Sequence, residues 1–90
     1  MIHLLRTSPF SGDNIEQLNA NINNGDIIVL IDDAVYLLQH ESLNNLASKT
    51  NIYALAPHRM ARSVETHAQV KDIDYAAWVA LAAQHTSVTY

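Results

Sequence analysis

The 90-residue chain contains no cysteine. Disulfides, thiolate zinc sites, thiol nucleophiles and a persulfide carried on this chain are therefore excluded, and any sulfur chemistry would have to occur on a partner. Glycine and proline are scarce, two of each, which excludes collagen-like and flexible low-complexity designs. Basic residues are also few. Five Lys and Arg stand against nine Asp and Glu, a formal net charge of −4, and the basic stripe that releases counterions from a phosphate backbone is missing. Direct RNA or DNA binding is not expected. The first residues offer one basic side chain, Arg6, and a four-residue, mostly apolar run, well short of a signal peptide or a membrane span, so the cytoplasm is the default compartment. What is present is 49% apolar residues with 16% charged, enough for one compact domain over 1–90 that buries roughly 60–65% of its unfolded surface.

Ile2–Leu5 reads as a strand, stopped by Thr7, Ser8 and Pro9. Asp13 with Glu16 has the spacing of a capping box, and Ile15, Leu18 and Ile22 follow at helical intervals until Asn23, Asn24 and Gly25 end the element. The unbroken run Ile27–Ile31 predicts a central parallel strand covered on both faces. Ala34, Val35 and Leu38 give one short helical stripe and Leu43, Leu46 and Ala47 another, with a break over 39–41. Ile52–Ala56 is a further strand, and Pro57 suits the first turn of a helix with Met60 and Val64 on one face. Val70–Ile73, interrupted by Lys71 and Asp72, fits an edge strand. Asp74 then reads as an N-cap for a helix bearing Tyr75, Trp78, Val79 and Ala82. The alternation predicts an α/β fold: a small, mostly parallel sheet of four or five strands with helices on both faces, the role of 87–90 being open.

In such a sheet functional groups gather at the carboxyl ends of the strands, so Ser8, Phe10, Asp32, Asp33, His58, Arg59, Arg62 and Asp74 should share one rim. Asp32 and Asp33 resemble the Mg²⁺-holding pair of a phosphoacceptor domain. Such a domain also needs an acceptor carboxylate after the third strand, where Ala56 and Pro57 stand, so Asp33 reads better as a helix N-cap. The five histidines His3, His40, His58, His67 and His85 contain no pair at three- or four-residue spacing, and no metal site is expected. Thr7, Ser8, Ser11 and Gly12 lack the Gly-rich pattern and following Lys of a phosphate cradle, and Ser8 has no nucleophile elbow. No catalytic constellation and no cofactor site emerge. His58, Arg59 and Arg62 leave one alternative open, a stand-alone small-ligand or anion-binding module. Of the aromatics, Trp78 fits its helix's buried stripe, whereas Phe10, in a turn, and Tyr90 fit no stripe and read as anchors for a partner chain.

The chain also resembles the DsrH/TusB family of small sulfur-relay subunits. The likeness is carried by Met1, Ile2, His3 and Leu5 with the Ser8, Pro9, Phe10 turn. It continues through Gly25 and Asp26 with the run to Ile31 and the Asp32, Asp33, Ala34, Val35 turn, then Tyr53, Ala54 and Leu55 with Ala61 and Arg62. Asp74 and Tyr75, Trp78, Val79, His85 and the aromatic Tyr90 complete it. Ala34 and Ser63 stand where that family often has Gly. The resemblance implies a DsrEFH-like, flavodoxin-like three-layer fold and a noncatalytic subunit of a TusBCD-like heterohexamer. Such a subunit supports persulfide transfer toward 2-thiouridine formation at the tRNA wobble position. Its partners would be TusC-like and TusD-like subunits and, indirectly, a TusE-like sulfur acceptor. The missing cysteine favours the tRNA-thiolation branch over sulfur oxidation. The residues put forward for the subunit interface are Phe10, Asp32, Asp33, Tyr36, Arg62 and Tyr90. Self-association of the isolated chain is a further possibility.

Overall fold

The computed structural model describes residues 1–10 and 12–90; Ser11, one of the loop hydroxyls considered above, lies outside them. The strands are β1 (Ile2–Leu5), β2 (Ile27–Leu30), β3 (Asn51–Leu55), β4 (Val70–Ile73) and β5 (Ser87–Thr89). Between them lie α1 (Asn14–Asn21), a 3-10 helix (Asp32–Gln39), α2 (Leu43–Lys49), α3 (Ala56–Ala61) and α4 (Tyr75–Gln84). All strand pairs are parallel, in the order β4-β3-β2-β1-β5. The apolar run thus lies in the middle of the sheet and the charge-interrupted β4 at one edge. Residues 87–90, left open by the sequence, supply the other edge strand and the residue that follows it.

This order dictates the layers. The steps β1 to β2, β2 to β3 and β3 to β4 all move the same way across the sheet, so right-handed crossovers put their connections on one face. The step from β4 to β5 runs back past three strands and sends α4 alone to the other face. The core divides accordingly. On the first face Leu5, Ile28, Leu30, Ile52 and Ala54 pack with Leu18 of α1, with Ala34, Val35, Leu37 and Leu38 of the 3-10 helix, and with Leu43 and Leu46 of α2. On the second, Ile2, Val29, Ile31, Leu55 and Ile73 pack with Leu4, Ile27 and Tyr53 of the sheet and with Ala77, Trp78 and Leu81 of α4. Both faces of β2 are therefore covered, with Ile28 to Leu30 fully buried.

Several local expectations differ from the structure. Asp13 precedes α1 without a side-chain capping bond; its carboxylate instead accepts from Gln17 Nε2 at 3.2 Å, so the capping box does not form. Asp33 is no N-cap either, because the helical turn begins at Asp32, directly after the extended Ile31. That element is 3-10 rather than α: its buried pairs Ala34 with Leu37 and Val35 with Leu38 recur every three residues, the 3-10 repeat. Ala56 opens α3 instead of closing β3, with Pro57 in the first turn as expected. Met60 points outward, 65% exposed, while Val64 is buried just beyond the helix.

Val64 is buried because α3 ends in a Schellman turn. The Val64 N–H donates to the Arg59 carbonyl and the Ser63 N–H to the Met60 carbonyl, both at 3.1 Å, which requires a left-handed residue between them. Ser63 supplies it at φ +54°. A Cβ is disfavoured in this conformation, which glycine adopts without that cost. Ser63→Gly is expected to raise stability by up to about 1 kcal/mol, and β-branched Ser63→Val to lower it by about 1 kcal/mol or more. Urea denaturation of the three proteins checks this; a Val variant as stable as the Gly variant would refute it.

Candidate functional site

Four loops meet at the carboxyl ends of the strands and bring most of the anticipated rim together. Asp32 follows β2 in a left-handed conformation, φ +50°, which turns its backbone N–H toward His58 Nδ1 at 2.8 Å. Because Nδ1 accepts that bond, the imidazole proton sits on Nε2 and is directed at the Tyr75 hydroxyl, 3.1 Å away. The Tyr75 ring meets the imidazole edge-on, with centroids 5.8 Å apart. The Asp32 carboxylate lies 3.5 Å from both Arg6 Nε and His58 Nδ1. Asp74 caps α4, accepting from the Ala77 N–H at 2.8 Å, as its position in the sequence suggested.

The arginines of this rim are occupied within the chain. Arg59 grips Asp72 with Nε and Nη2, at 3.1 and 2.8 Å, and gives Nη1 to the Val64 carbonyl at 2.8 Å. Arg62 pairs with Asp33 at 2.9 Å and reaches the His58 carbonyl at 3.2 Å. A fork whose donors are already directed at carboxylates and carbonyls offers little to a free anion. The rim binds itself together and orders the turns after β2, β3 and β4. No group of three or more His, Cys, Asp or Glu able to hold a metal ion occurs among the described residues.

The remaining candidates are dispersed. Phe10 is 64% exposed, its ring 4.9 Å from the His40 imidazole. Tyr36 is half-buried against the first core cluster, on the 3-10 helix. Tyr90, anticipated as a partner anchor, is engaged inside the chain. Its backbone N–H donates to the Leu4 carbonyl at 2.8 Å, its carbonyl accepts from the Arg6 N–H, and its side chain packs on the first core cluster.

A polar cluster that the sequence reading did not assemble explains this. His3, in the middle of β1, is fully buried, and its Nε2 lies 2.7 Å from Asp26 Oδ2. Its Nδ1 lies 2.9 Å from the Tyr90 hydroxyl. Gly25, at φ +86°, makes the turn that presents Asp26, whose carboxylate also accepts from the Asn23 N–H at 2.9 Å and the Met1 amino group at 3.2 Å. Thr50 Oγ1 donates to the Asp26 carbonyl, tying in the start of β3. The bond from His3, then the Asn23 N–H, with a smaller share from the amino group, hold the Asp26 carboxyl down at about 2 against the opposing effect of burial. Ionised Asp26 can only accept, so His3 carries a proton on Nε2. The phenol then donates to a neutral imidazole, or accepts from a charged one. In either state the tail stays fastened.

The carboxyl-end rim of this three-layer parallel α/β domain is paired within itself, and the chain has no thiol. The DsrH-like protein family model matches residues 7–88, and the chain belongs to that family. No curated protein matches the chain. Membership brings a role in sulfur relay. His3, the Gly25-Asp26 turn and Tyr90, far apart in sequence, belong to one cluster here.

The pKa of Asp26 sets a pH dependence with a definite sign. The folded-state value lies below the ordinary 3.8, so the stabilisation is complete above about pH 4 and is lost as pH falls toward 2. Asp26→Asn should be less stable at neutral pH and should flatten that part of the profile. Urea midpoints measured from pH 2 to 6 test this; an unchanged slope in the variant would show that other carboxylates govern it.

Proposed function

We propose that the chain is a noncatalytic subunit of a cytoplasmic, TusBCD-like sulfur-relay heterohexamer that supports persulfide transfer toward 2-thiouridine formation at the tRNA wobble position. The observation that carries this reading is a DsrH-like match over 7–88 in a chain without cysteine. Sulfane sulfur travels on thiolates, and no other side chain here is soft and nucleophilic enough to take it. The persulfide would ride on a TusD-like subunit and leave on a TusE-like acceptor, while this chain gives the assembly shape through contacts with TusC-like and TusD-like partners. Phe10, more than half exposed and set in a turn, is the aromatic best placed for such a contact, with the paired Asp33 and Arg62 on the neighbouring rim. The alternative, an anion-binding module built on His58, Arg59 and Arg62, is disfavoured because both arginines and both imidazole nitrogens already have partners.

Tagged chain expressed with TusC-like and TusD-like subunits is expected to recover both in equal amounts. After incubation with a radiolabelled persulfide donor, thiol-releasable label should appear on a partner and none on this chain. Label on this chain, or a chain that stays alone with both partners present, would overturn the proposal. Phe10→Ala should weaken recovery without altering the fold of the isolated domain.

A further inference from the structure

From Tyr75 to the last residue described there is no Asp, Glu, Lys or Arg, so the whole formal charge of −4 resides on residues 1–74. Within this stretch α4 reads YAAWVALAAQ, and none of its ten residues is buried. Ala77, Trp78 and Leu81 rest on the second sheet face, half-covered. The opposite side carries Ala76, Val79 and Ala83, with Tyr75 and Val79 exposed at 51% and 65%. A solvated helix would carry charged side chains there; a helix apolar on every side is a buried one. Ten residues span about 15 Å, half of a bilayer's hydrocarbon core, and α4 has no basic side chain to hold it on an anionic lipid surface. The cover must be protein.

The sheet beneath points the same way. Five strands at about 4.8 Å spacing are roughly twice as wide as the one helix of about 10 Å laid on them. Beside α4 a groove of about 430 Å³ remains, floored by Tyr53, Ile73, Ala77 and Leu81. At its margin stand Lys71, Asp72 and Asp74; Arg59 pairs with Asp72, which leaves Lys71 and Asp74 to balance each other at this face, while the molecule as a whole is acidic.

We propose that α4 and this half-open face form a twofold interface with a second copy of the chain, α4 packing against α4. Each copy carries a net −4, all of it on residues 1–74, so α4 is the part of the surface where two copies approach with the least local repulsion. The helix is self-complementary in shape: Val79 projects between Ala76 and Ala83, and the alanines allow the axes of two antiparallel helices to approach within about 8 Å. Lys71 and Asp74 of one copy can meet Asp74 and Lys71 of the other, as a self-matching surface requires. The inference stands on the chain alone and does not depend on the sulfur-relay reading.

The test uses the purified chain. Sedimentation equilibrium near 100 µM is expected to give twice the 10.0 kDa chain mass. Val79→Lys, at a site exposed in the single chain, should leave the circular dichroism unchanged and weaken self-association about 100-fold, whereas Asn44→Lys on α2 should leave it intact. Because the chain has no other thiol, Val79→Cys and Ala83→Cys report directly under mild oxidation: a disulfide-linked dimer from at least one of them, and none from Asn44→Cys, is expected. A monomeric wild type, a Val79→Lys variant as dimeric as wild type, or cross-linking equally efficient from α2 would each overturn the proposal, and none would bear on recovery of heterologous subunits.

Discussion

The order β4-β3-β2-β1-β5 is the constraint on which the rest depends. Three crossovers in one direction and one back place three helical connections on one side of the sheet and a single helix on the other. The first face can then be sealed, and its side chains from β1, β2 and β3 are essentially solvent-free. The second face has one helix for five strands, and Leu4, Ile27 and Tyr53 are only partly covered. The asymmetry follows from topology rather than from any local weakness of the sequence. More apolar side chains on that face would enlarge the patch without closing it.

The same return crossover explains why the tail is fastened with polar groups. β5 is three residues long, exposed throughout, and paired only with β1. It buries too little apolar surface to secure itself, so hydrogen bonds must hold it in register. The Tyr90 backbone continues the ladder on β1, and its phenol reaches His3. His3 is in turn held by Asp26, the residue that leads into β2. A buried imidazole would be costly unpaired, but here both ring nitrogens are satisfied and the carboxylate has several donors. The cluster links β1, β2 and the end of the chain, so the outermost strand is tied to the centre of the sheet.

Elements whose identity rests on their own composition were legible in the sequence. Ile27–Ile31 can hardly be anything but an inner strand, and Lys71 with Asp72 marks β4 as an edge. Asp74 is a true cap because an extended residue there leads straight into a helix. Asp13 makes no capping bond because its carboxylate accepts from Gln17, and Asp33 is no cap because the helical turn starts one residue earlier, at Asp32; residue spacing reveals neither. The 3-10 helix was read through Ala34, Val35 and Leu38 at helical intervals; including Leu37 would have shown the period of three. Tyr90 looked like a free anchor since its partner lies 87 positions away. One signal was available: a histidine between Ile2 and Leu5 in a buried strand needs a polar partner, and Asp26 immediately precedes the neighbouring strand.

These placements redistribute the roles of the aromatic residues. Tyr90 spends its hydroxyl on His3, Tyr36 lies against the core, and Trp78 fastens α4 to the sheet. Tyr75 closes the hydrogen-bonded line from the Asp32 N–H through His58, while its ring stays half in solvent at the first turn of α4. It is therefore the residue through which the carboxyl-end rim touches the uncovered helix. Covering α4 with another chain would bury the Tyr75 ring and restrict its hydroxyl to the bond with His58. Order at the interface would then reach the left-handed turn at Asp32 through two hydrogen bonds, without any movement of the sheet. Two hydrogen bonds thus connect the first turn of α4, on the second face, to the left-handed turn at the strand ends.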